Sequence, residues 1–167
     1  MIGSIKIERI VKPTREDARD INALLPQQAD RPHFLTLTEL KRVTSQKCIE
    51  MYVARIHTGK SLRPIVGMAS VIFYWVPTGL IAFIEEFTVD EHFRGRGLGV
   101  KLINKLISSA KRKKAKHIST YTHPRRLAAN AVYQKMGFFK KETNFYRINL
   151  TLPKPVAKSE IAKIQSF

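Results

Sequence analysis

The sequence lacks the features that mark secreted and membrane-spanning proteins. Its single cysteine, Cys48, excludes an internal disulfide framework and is typical of a reducing compartment. No apolar run approaches the ~20 residues that a membrane-spanning helix needs. Residues 1–15 alternate apolar with charged side chains, unlike the apolar core of a signal peptide. We therefore expect a cytoplasmic protein without a membrane partner.

Glycine and proline are also scarce, at 8 residues each among 167, whereas 44% of the residues are hydrophobic. This composition excludes fibrous and disordered chains and suits one globular domain. Metal-binding patterns are absent too, because no histidine has a second histidine or paired cysteines at the spacing of a metal site. The five histidines are His33, His57, His92, His117 and His123. We expect no metal cofactor.

What the chain does have is basic charge, concentrated in one stretch. Lysine and arginine number 30 against 13 aspartate and glutamate, a formal net charge of +17. Residues 92–141 hold 14 of these basic residues and no acidic one. A field of this kind attracts phosphates, nucleic acid or an anionic surface. The alternative is a solvated lysine-rich face kept for solubility, and composition alone leaves both open.

The hydrophobic pattern and the turn residues predict six strand-like runs and four helices. The strand-like runs are residues 4–11, 47–56, 65–76, 80–89, 117–121 and 138–150. The helices are residues 14–25, a short one from 36 or 38 to 43, then 97–112 and 126–136. This order predicts a single α/β (α+β) domain whose mixed, mostly antiparallel sheet is flanked by helices.

A glycine-rich turn lies between the strand at 80–89 and the helix at 97–112. Its sequence is Arg-Gly-Arg-Gly-Leu-Gly, residues 94–99. Free backbone N–H groups at a helix N-terminus form an anion site suited to a diphosphate. The Walker loop needs Gly-Lys-Ser/Thr, which is missing, and the dinucleotide fingerprint needs a third glycine where Val100 stands. Neither of these two phosphate loops fits.

The pattern that fits is Arg/Gln-x-x-Gly-x-Gly/Ala, formed by Arg94, Gly97 and Gly99. Residues 130–138 supply a second motif, Asn-x-x-Tyr-x-x-x-Gly-Phe. Together with the element order, these motifs resemble the GNAT superfamily of acyl-CoA N-acyltransferases. The resemblance covers roughly residues 4–150, so we expect a GNAT domain at 1–150 and a C-terminal extension at 151–167.

The resemblance implies acetyl-CoA as acyl donor and gives individual residues roles. In the family, main-chain groups at the end of the fourth strand pair with the pantetheine arm, and N–H groups of the loop hold the pyrophosphate. The implied cofactor-binding residues are Phe87, Thr88, Val89, Arg94, Gly95, Arg96, Gly97, Leu98, Gly99, Asn130 and Tyr133. Asn130 is implied to bond the pantetheine region and Tyr133 to act as general acid near the sulfur. A phenol of pKa about 10 can supply a proton to a departing thiolate.

The acceptor amine must lose a proton, and two carboxylates are candidates for the base. Glu85 and Glu86 lie in an otherwise apolar strand, where carboxylates are costly to bury. Successive strand residues point to opposite faces, so we expect only one to serve a given cleft. Some relatives are thought to use a glutamate at the position of Glu85, which ranks it first and Glu86 second. The alternative is a structural pair with a nearby Lys or Arg.

We therefore expect an N-acetyltransferase that transfers an acetyl group from acetyl-CoA to a primary amine in a ternary complex, as a monomer or homodimer. Two alternatives stay open: a nucleic-acid- or ribosome-associated basic module on this fold, and an acyl-CoA sensor without turnover. Arg125 and Arg126 have three readings at this point: the acceptor side, the cofactor phosphates, or a solvated helix start. The identity of the acceptor amine is not encoded in any motif that we can recognise.

Overall fold

The computed structural model describes residues 3–28, 33–57, 64–148 and 150. They form one five-stranded sheet and four α-helices. The strands are β1 (Ser4–Arg9), β2 (Ile49–His57), β3 (Ile65–Val76), β4 (Gly79–Val89) and β5 (Ile118–Ser119). The helices are α1 (Arg15–Leu24), α2 (Leu37–Ser45), α3 (Leu98–Arg112) and α4 (Leu127–Lys135). Short 3₁₀ turns follow α1 at Leu25–Gln27 and β4 at Glu91–Phe93.

The strands lie in the sheet in chain order, from β1 at one edge to β5 at the other. Neighbours are antiparallel from β1 to β4, and β4 and β5 are parallel. The parallel pair needs a crossover, which α3 supplies. The predicted single domain with a mixed, mostly antiparallel sheet flanked by helices is confirmed.

Helices cover both faces of the sheet and create two hydrophobic cores. Helices α1 and α2 pack one core around Ile21, Leu40 and Met68. Helices α3 and α4 pack the other, larger core around Leu102 and Phe87. Strands buried on both faces need continuous apolar sequences, as β2 and β3 have, rather than strict alternation.

Capping boxes set the starts of α1 and α2. The Oγ1 of Thr14 accepts a hydrogen bond from the Asp17 N–H at 3.2 Å, and the Asp17 carboxylate accepts one from the Thr14 N–H at 2.9 Å. Thr36 and Glu39 repeat the arrangement at α2. Two orphan N–H groups are satisfied at each helix start. Thr14, the first residue of the helix predicted at 14–25, is the N-cap of α1, and α2 begins after Thr36, the earlier of the two starts predicted for it.

Helix α3 has the predicted amphipathic pattern. Its buried residues are Leu98, Leu102, Ile103, Leu106, Ser109 and Ala110. Its opposite side exposes Lys101, Lys105 and Lys111, which we call the basic face of α3. Since residues 92–141 contain no acidic residue, these lysines have no carboxylate within their own stretch of chain. The helix therefore joins the larger core to the most strongly charged part of the molecule's surface.

The strand predicted at 138–150 is wrong for the residues that the structure describes. Residues 138–148 have no strand pairing, and 139–148 are exposed. Strand β5 is also shorter than the predicted 117–121, so the sheet edge offers only two residues for pairing. The aromatic side chains drive a different contact, because Phe145 stacks on Tyr121 with ring centroids 4.7 Å apart. The predicted extension 151–167 lies outside the described residues.

No helix in the described ranges is long and apolar enough to cross a membrane.

A β-bulge interrupts β4 near its end. Met68 pairs with Thr88, but two residues further along β3 Ser70 pairs with Glu85, so β4 contains one residue more than its partner. Glu86 has φ +54°, in the left-handed region that non-glycine residues seldom adopt. Such a residue costs about 1–3 kcal/mol and persists only where its surroundings hold it. The bulge bends β4 and changes the direction of the last residues of the strand.

A buried carboxylate, Glu50, whose side chain is 3% exposed, is surrounded by hydroxyl and basic groups. Its carboxylate accepts hydrogen bonds from the Tyr52 hydroxyl at 3.0 Å and from Ser109. Arg112 lies 3.4 Å away and Lys113 3.5 Å. Burial by itself would raise the pKa of Glu50, but the hydrogen bonds from Ser109 and Tyr52 and the charges of Arg9 and Lys113 outweigh it and hold the pKa below its usual value. Glu50 therefore anchors the end of α3 to β2.

We predict that Glu50→Gln destabilises the fold by about 2 kcal/mol, because it removes charge-assisted bonds to buried hydroxyls. A carboxyl whose folded pKa is depressed contributes stability above its unfolded pKa and loses it as pH falls through the folded pKa. The difference from wild type should therefore be full at pH 7 and narrow at pH 3, as measured by urea unfolding. Glu142→Gln, at an exposed carboxylate, is the control and should change little. An equal effect of both variants would contradict the anchoring role of Glu50.

Candidate active site

The sheet opens between β4 and β5. Only Ala82 and Phe83 of β4 pair with β5, so residues 84–89 have no strand on that side among the described residues. Side chains bond to the carbonyl oxygens there instead. Thr120 Oγ1 donates to the Ile84 carbonyl at 3.4 Å, Arg126 Nη2 to that of Phe87 at 2.8 Å, and Arg94 Nε to that of Val89 at 3.1 Å. We call residues 84–89 the open edge of β4.

A cleft of about 620 Å³ lies at this opening, a volume typical of small-molecule sites. Its walls are the end of β4, the loop before α3 and the first turns of α3 and α4. Its lining residues are Gln27, Phe87, Thr88, Val89, Phe93, Arg94, Gly95, Gly97, Leu98, Gly99, Val100, Arg125, Arg126, Leu127, Ala128, Ala129, Val132 and Lys135. Four of these are basic and none is acidic. The cleft therefore favours an anionic ligand with apolar parts.

The loop before α3 presents backbone rather than side chains to the cleft. Gly95 and Gly97 have φ of +75° and +73°, values that glycine adopts without the strain of a Cβ. Gly97 is the N-cap of α3 and, among the described residues, no side chain bonds to the first-turn N–H groups. These N–H groups and the positive end of the helix dipole are therefore available to an anion.

Gly99 serves close packing rather than an unusual backbone angle. A Cβ at this position would lie 3.1 Å from Cζ of Phe87 and 3.3 Å from Cγ2 of Val132. The absence of a side chain lets the first turn of α3 approach both β4 and α4. This contact fixes the distance between the loop and the open edge of β4.

Gln27, which the sequence did not single out, ties the end of α1 to the same loop. Its side chain donates to the Asp90 carboxylate at 3.3 Å and accepts from the Glu91 N–H at 3.0 Å. Arg94 Nη2 also donates to it, at 3.2 Å. Arg94 is therefore held between Gln27 and the Val89 carbonyl, so its guanidinium has a structural role in the free protein. No motif-level signal could have identified Gln27, because the contact joins residues more than sixty positions apart.

Most of the residues predicted to bind the cofactor line the cleft. They are Phe87, Thr88, Val89, Arg94, Gly95, Gly97, Leu98 and Gly99. Arg96, Asn130 and Tyr133 are not part of its lining. Arg96 lies over the Phe93 ring at 5.1 Å, and the Asn130 amide donates to the carbonyls of His123 and Arg126. Asn130 thus holds the turn that leads into α4.

Tyr133 lies behind the open edge of β4, 7% exposed. Its ring contacts those of Phe87 and Phe138, with centroids 5.6 and 5.4 Å away. Its hydroxyl oxygen lies 3.5 Å from Thr120 Oγ1, the group that is also within hydrogen-bond distance of the Ile84 carbonyl. Burial raises the pKa of the phenol, and the charge of Glu85 raises it further. The hydroxyl is therefore protonated at neutral pH and lies where β4 and β5 separate.

Glu85 and Glu86 take different partners, although not by simple alternation. The bulge adds a residue just where alternation would assign their faces. Glu85 is half-buried, and burial, followed by the charge of Glu86, raises its pKa, while a hydrogen bond with Tyr121 opposes the rise. Glu86 is exposed and accepts a hydrogen bond from Gln28, which in turn accepts one from Thr88. Neither carboxylate lines the basic cleft.

Sequence reasoning left Arg125, Arg126 and Lys135 without an assigned role, and all three line the cleft. Their shared signal was the basic stretch at 92–141, which does not distinguish cleft residues from the basic face of α3. Among the described residues, no group of three or more His, Cys, Asp or Glu is arranged to hold a metal ion.

Comparisons with known proteins agree with this geometry. Residues 16–138 match the model of the acetyltransferase (GNAT) family. A 62-residue segment is 39% identical to an uncharacterized N-acetyltransferase of Methanocaldococcus jannaschii, a match that spans 37% of this chain and 27% of that relative.

Solved structures share the fold at lower identity. A Trypanosoma brucei acetyltransferase superposes with a TM-score of 0.70 at 23% identity, over 88% of this chain and 100% of that one. The Arabidopsis thaliana glucosamine-6-phosphate N-acetyltransferase gives 0.71 at 20%, over 87% and 98%. An aminoglycoside N-acetyltransferase in complex with CoA gives 0.67 at 19%, over 89% and 96%. With its sheet opened beside a glycine loop and most of its length matched by the family model, this chain belongs to the acetyltransferase (GNAT) family.

Proposed function

We propose that this protein is an acetyl-CoA-dependent N-acetyltransferase that acts on a primary amine by direct transfer in a ternary complex. The observation that carries the proposal is the acid-free basic cleft, bounded on one side by the glycine loop and on the other by the open edge of β4. The glycine loop suits a diphosphate, and the open edge of β4 suits a chain of amides. A CoA complex of a protein with the same fold supports the assignment.

Acetyl-CoA supplies an activated acetyl thioester. N–H groups of Gly97, Leu98 and Gly99 would hold its pyrophosphate, and main-chain groups of Phe87, Thr88 and Val89 would hold its pantetheine arm. Arg125 and Lys135 add positive charge at the mouth of the cleft. The fit is physical, because positive φ at Gly95 and Gly97 leaves backbone in the place where a side chain would block a phosphate.

The acceptor enters from the other side of β4 in this proposal, where Glu85, Glu86 and Gln28 lie. A primary amine is protonated at neutral pH and is attracted by the two carboxylates. Solved structures of the same fold include acetyltransferases of glucosamine-6-phosphate and of aminoglycosides. These are amine-bearing molecules, which is the substrate class that we propose here.

Glu85 is the proposed base. Burial raises its pKa, and so a carboxylate there accepts a proton more readily than an exposed one. Tyr133 is the proposed general acid, because its buried phenol remains protonated and lies at the point where the strands separate. In this proposal the acetyltransferase domain comprises residues 1–150.

Gly97→Glu should abolish acetyl-CoA binding, since it introduces a side chain and a negative charge where the pyrophosphate must approach. Acetyl-CoA at 100 times its Kd should stabilise the wild-type protein by about 2.7 kcal/mol, seen as a raised Tm. Titration calorimetry and thermal shift check both statements. Gly79→Glu is the matched control, because Gly79 also has positive φ in open space but lies at the β3–β4 turn. If Gly97→Glu keeps normal affinity, the loop is not the phosphate site.

Tyr133→Phe should lower kcat about 10²-fold, because it removes the proton donor and retains the ring and its contacts with Phe87 and Phe138. Acetyl-CoA affinity and Tm should change little. Since burial raises the pKa of the phenol, any loss of wild-type activity from its ionisation should occur at a higher pH than for an unperturbed phenol. Steady-state kinetics and Tm are measured on the same variant. Full activity would exclude a general-acid role for Tyr133.

Glu85→Gln should lower kcat/KM about 10²-fold, because the amide cannot accept the amine's proton. The base is active when ionised, so the rate of wild type should rise with pH through the elevated pKa of Glu85. That limb of the pH profile should be missing in the variant. Glu86→Gln is the adjacent control, and it should keep the limb and most of the rate. A larger loss in Glu86→Gln than in Glu85→Gln would reverse the assignment.

A further inference from the structure

The shortest of the three side-chain hydrogen bonds on the open edge of β4 is made by Arg126. Its Nη2 donates to the Phe87 carbonyl at 2.8 Å, while the bond from Thr120 to Ile84 is 3.4 Å long. Arg126 comes from the turn before α4, so the bond closes the cleft's inner wall across the gap between β4 and α4. The guanidinium thus donates a hydrogen bond to a carbonyl oxygen that would otherwise accept one from the N–H of a neighbouring strand.

Arg126 is not committed to a charged partner. Among the described residues, no carboxylate lies within ion-pair distance of its guanidinium, although Arg9, Arg55 and Arg112 all have one. Its side chain makes no cap hydrogen bond for α4 either. A guanidinium held by a neutral carbonyl has further donors in its fork and gains more from a phosphate than from that carbonyl. The bond to Phe87 is therefore replaceable.

Arg126 lies in the cleft near two possible partners, the Phe87 carbonyl and the phosphates of a ligand bound at the glycine loop. It lines the cleft together with the glycine loop, so a phosphate-bearing ligand in that loop lies in the same cavity. The Phe87 carbonyl belongs to the edge that the proposed function assigns to the pantetheine arm. The two candidate partners of Arg126 therefore lie in the same cleft. One is the Phe87 carbonyl on β4, and the other is a phosphate at the glycine loop before α3.

We propose that the Arg126 guanidinium bonds to the Phe87 carbonyl only in the free protein and is displaced from it when the ligand binds. In the free protein it satisfies the Phe87 carbonyl. When the ligand binds, an amide N–H of the pantetheine arm takes over that carbonyl, and the released guanidinium pairs with the phosphates. This inference rests on the proposed function, and it adds a specificity: a pantetheine arm without phosphates must displace Arg126 uncompensated, whereas the complete ligand provides a new partner.

The test compares two fragments of the ligand on Arg126→Met. Removing the guanidinium frees the Phe87 carbonyl, so the affinity for pantetheine should rise about threefold to tenfold. The affinity for ADP should fall about tenfold, because the phosphates lose a cation. Titration calorimetry measures both, and the ratio of CoA to ADP affinity should rise as well. Opposite signs for the two fragments are not expected of a residue that only shapes the cleft.

Arg125→Met is the matched control, since Arg125 also lines the cleft but its side chain makes no hydrogen bond to β4 among the described residues. It should leave pantetheine affinity unchanged. Arg126→Lys keeps the cation and serves as the second variant if the methionine variant has a lowered Tm. It should weaken ADP binding less than Arg126→Met does.

Three results would overturn the proposal. Unchanged pantetheine affinity together with an unchanged ratio of CoA to ADP affinity in Arg126→Met would show that Arg126 and the pantetheine arm do not compete for the Phe87 carbonyl. Unchanged ADP affinity would show that the guanidinium does not reach phosphates. In either case wild type still binds CoA, and the proposed function stands. A wild-type protein that binds no CoA would remove the proposed function and this inference with it.

Discussion

The extra residue in β4 is the constraint on which the rest of the site depends. The pairing of β4 with the two-residue strand β5 ends at Phe83, and the bulge at Glu86 bends β4 before residues 87–89. A sheet with this gap leaves carbonyl groups without strand partners, and such groups are satisfied by other means. Here the other means are side chains from three separate segments, and each brings its own part of the chain towards β4. The strained φ of Glu86 thus lies directly before residues 87–89, which line the cleft.

The two sides of β4 differ in charge, and this difference gives the site a direction. On the side of α3 and α4 the cleft lining is basic and contains no carboxylate. On the side of α1, Gln28 joins Glu86 to Thr88, and the charge of Glu86, after burial, contributes to the raised pKa of the adjacent Glu85. An anionic donor and a cationic acceptor would approach β4 from opposite directions. Close packing of Gly99 on Phe87 keeps the two approaches at a fixed separation.

Local signals made much of this structure predictable. The 3.6-residue period predicted α3, the helix-start signal at Thr14 predicted the start of α1, and the glycine spacing predicted the loop, because each depends on residues that are close in sequence. The bulge was not predictable, since a strand that reads as regular can contain one unmatched residue only relative to its partner. Gln27 and the bond from Arg126 to Phe87 depend on pairs far apart in the chain. The expected strand at 138–150 failed because alternating apolar residues need an available edge, and β5 provides two residues.

The basic face of α3 begins beside the mouth of the cleft and continues for about 15 Å along the helix, given 1.5 Å per residue from Lys101 to Lys111. It contacts nothing in the cleft, yet its charge extends into solvent over roughly a Debye length, about 8 Å at physiological ionic strength. A polyanion diffusing nearby therefore meets an attractive potential before it touches the site, and encounters become more frequent than for a neutral molecule. The rate of association is then governed by ionic strength, while the rate of dissociation is governed by short-range bonds inside the cleft. The fold thereby separates capture of the proposed ligand from its retention, because the basic face of α3 lies outside the cleft and the short-range bonds lie inside it.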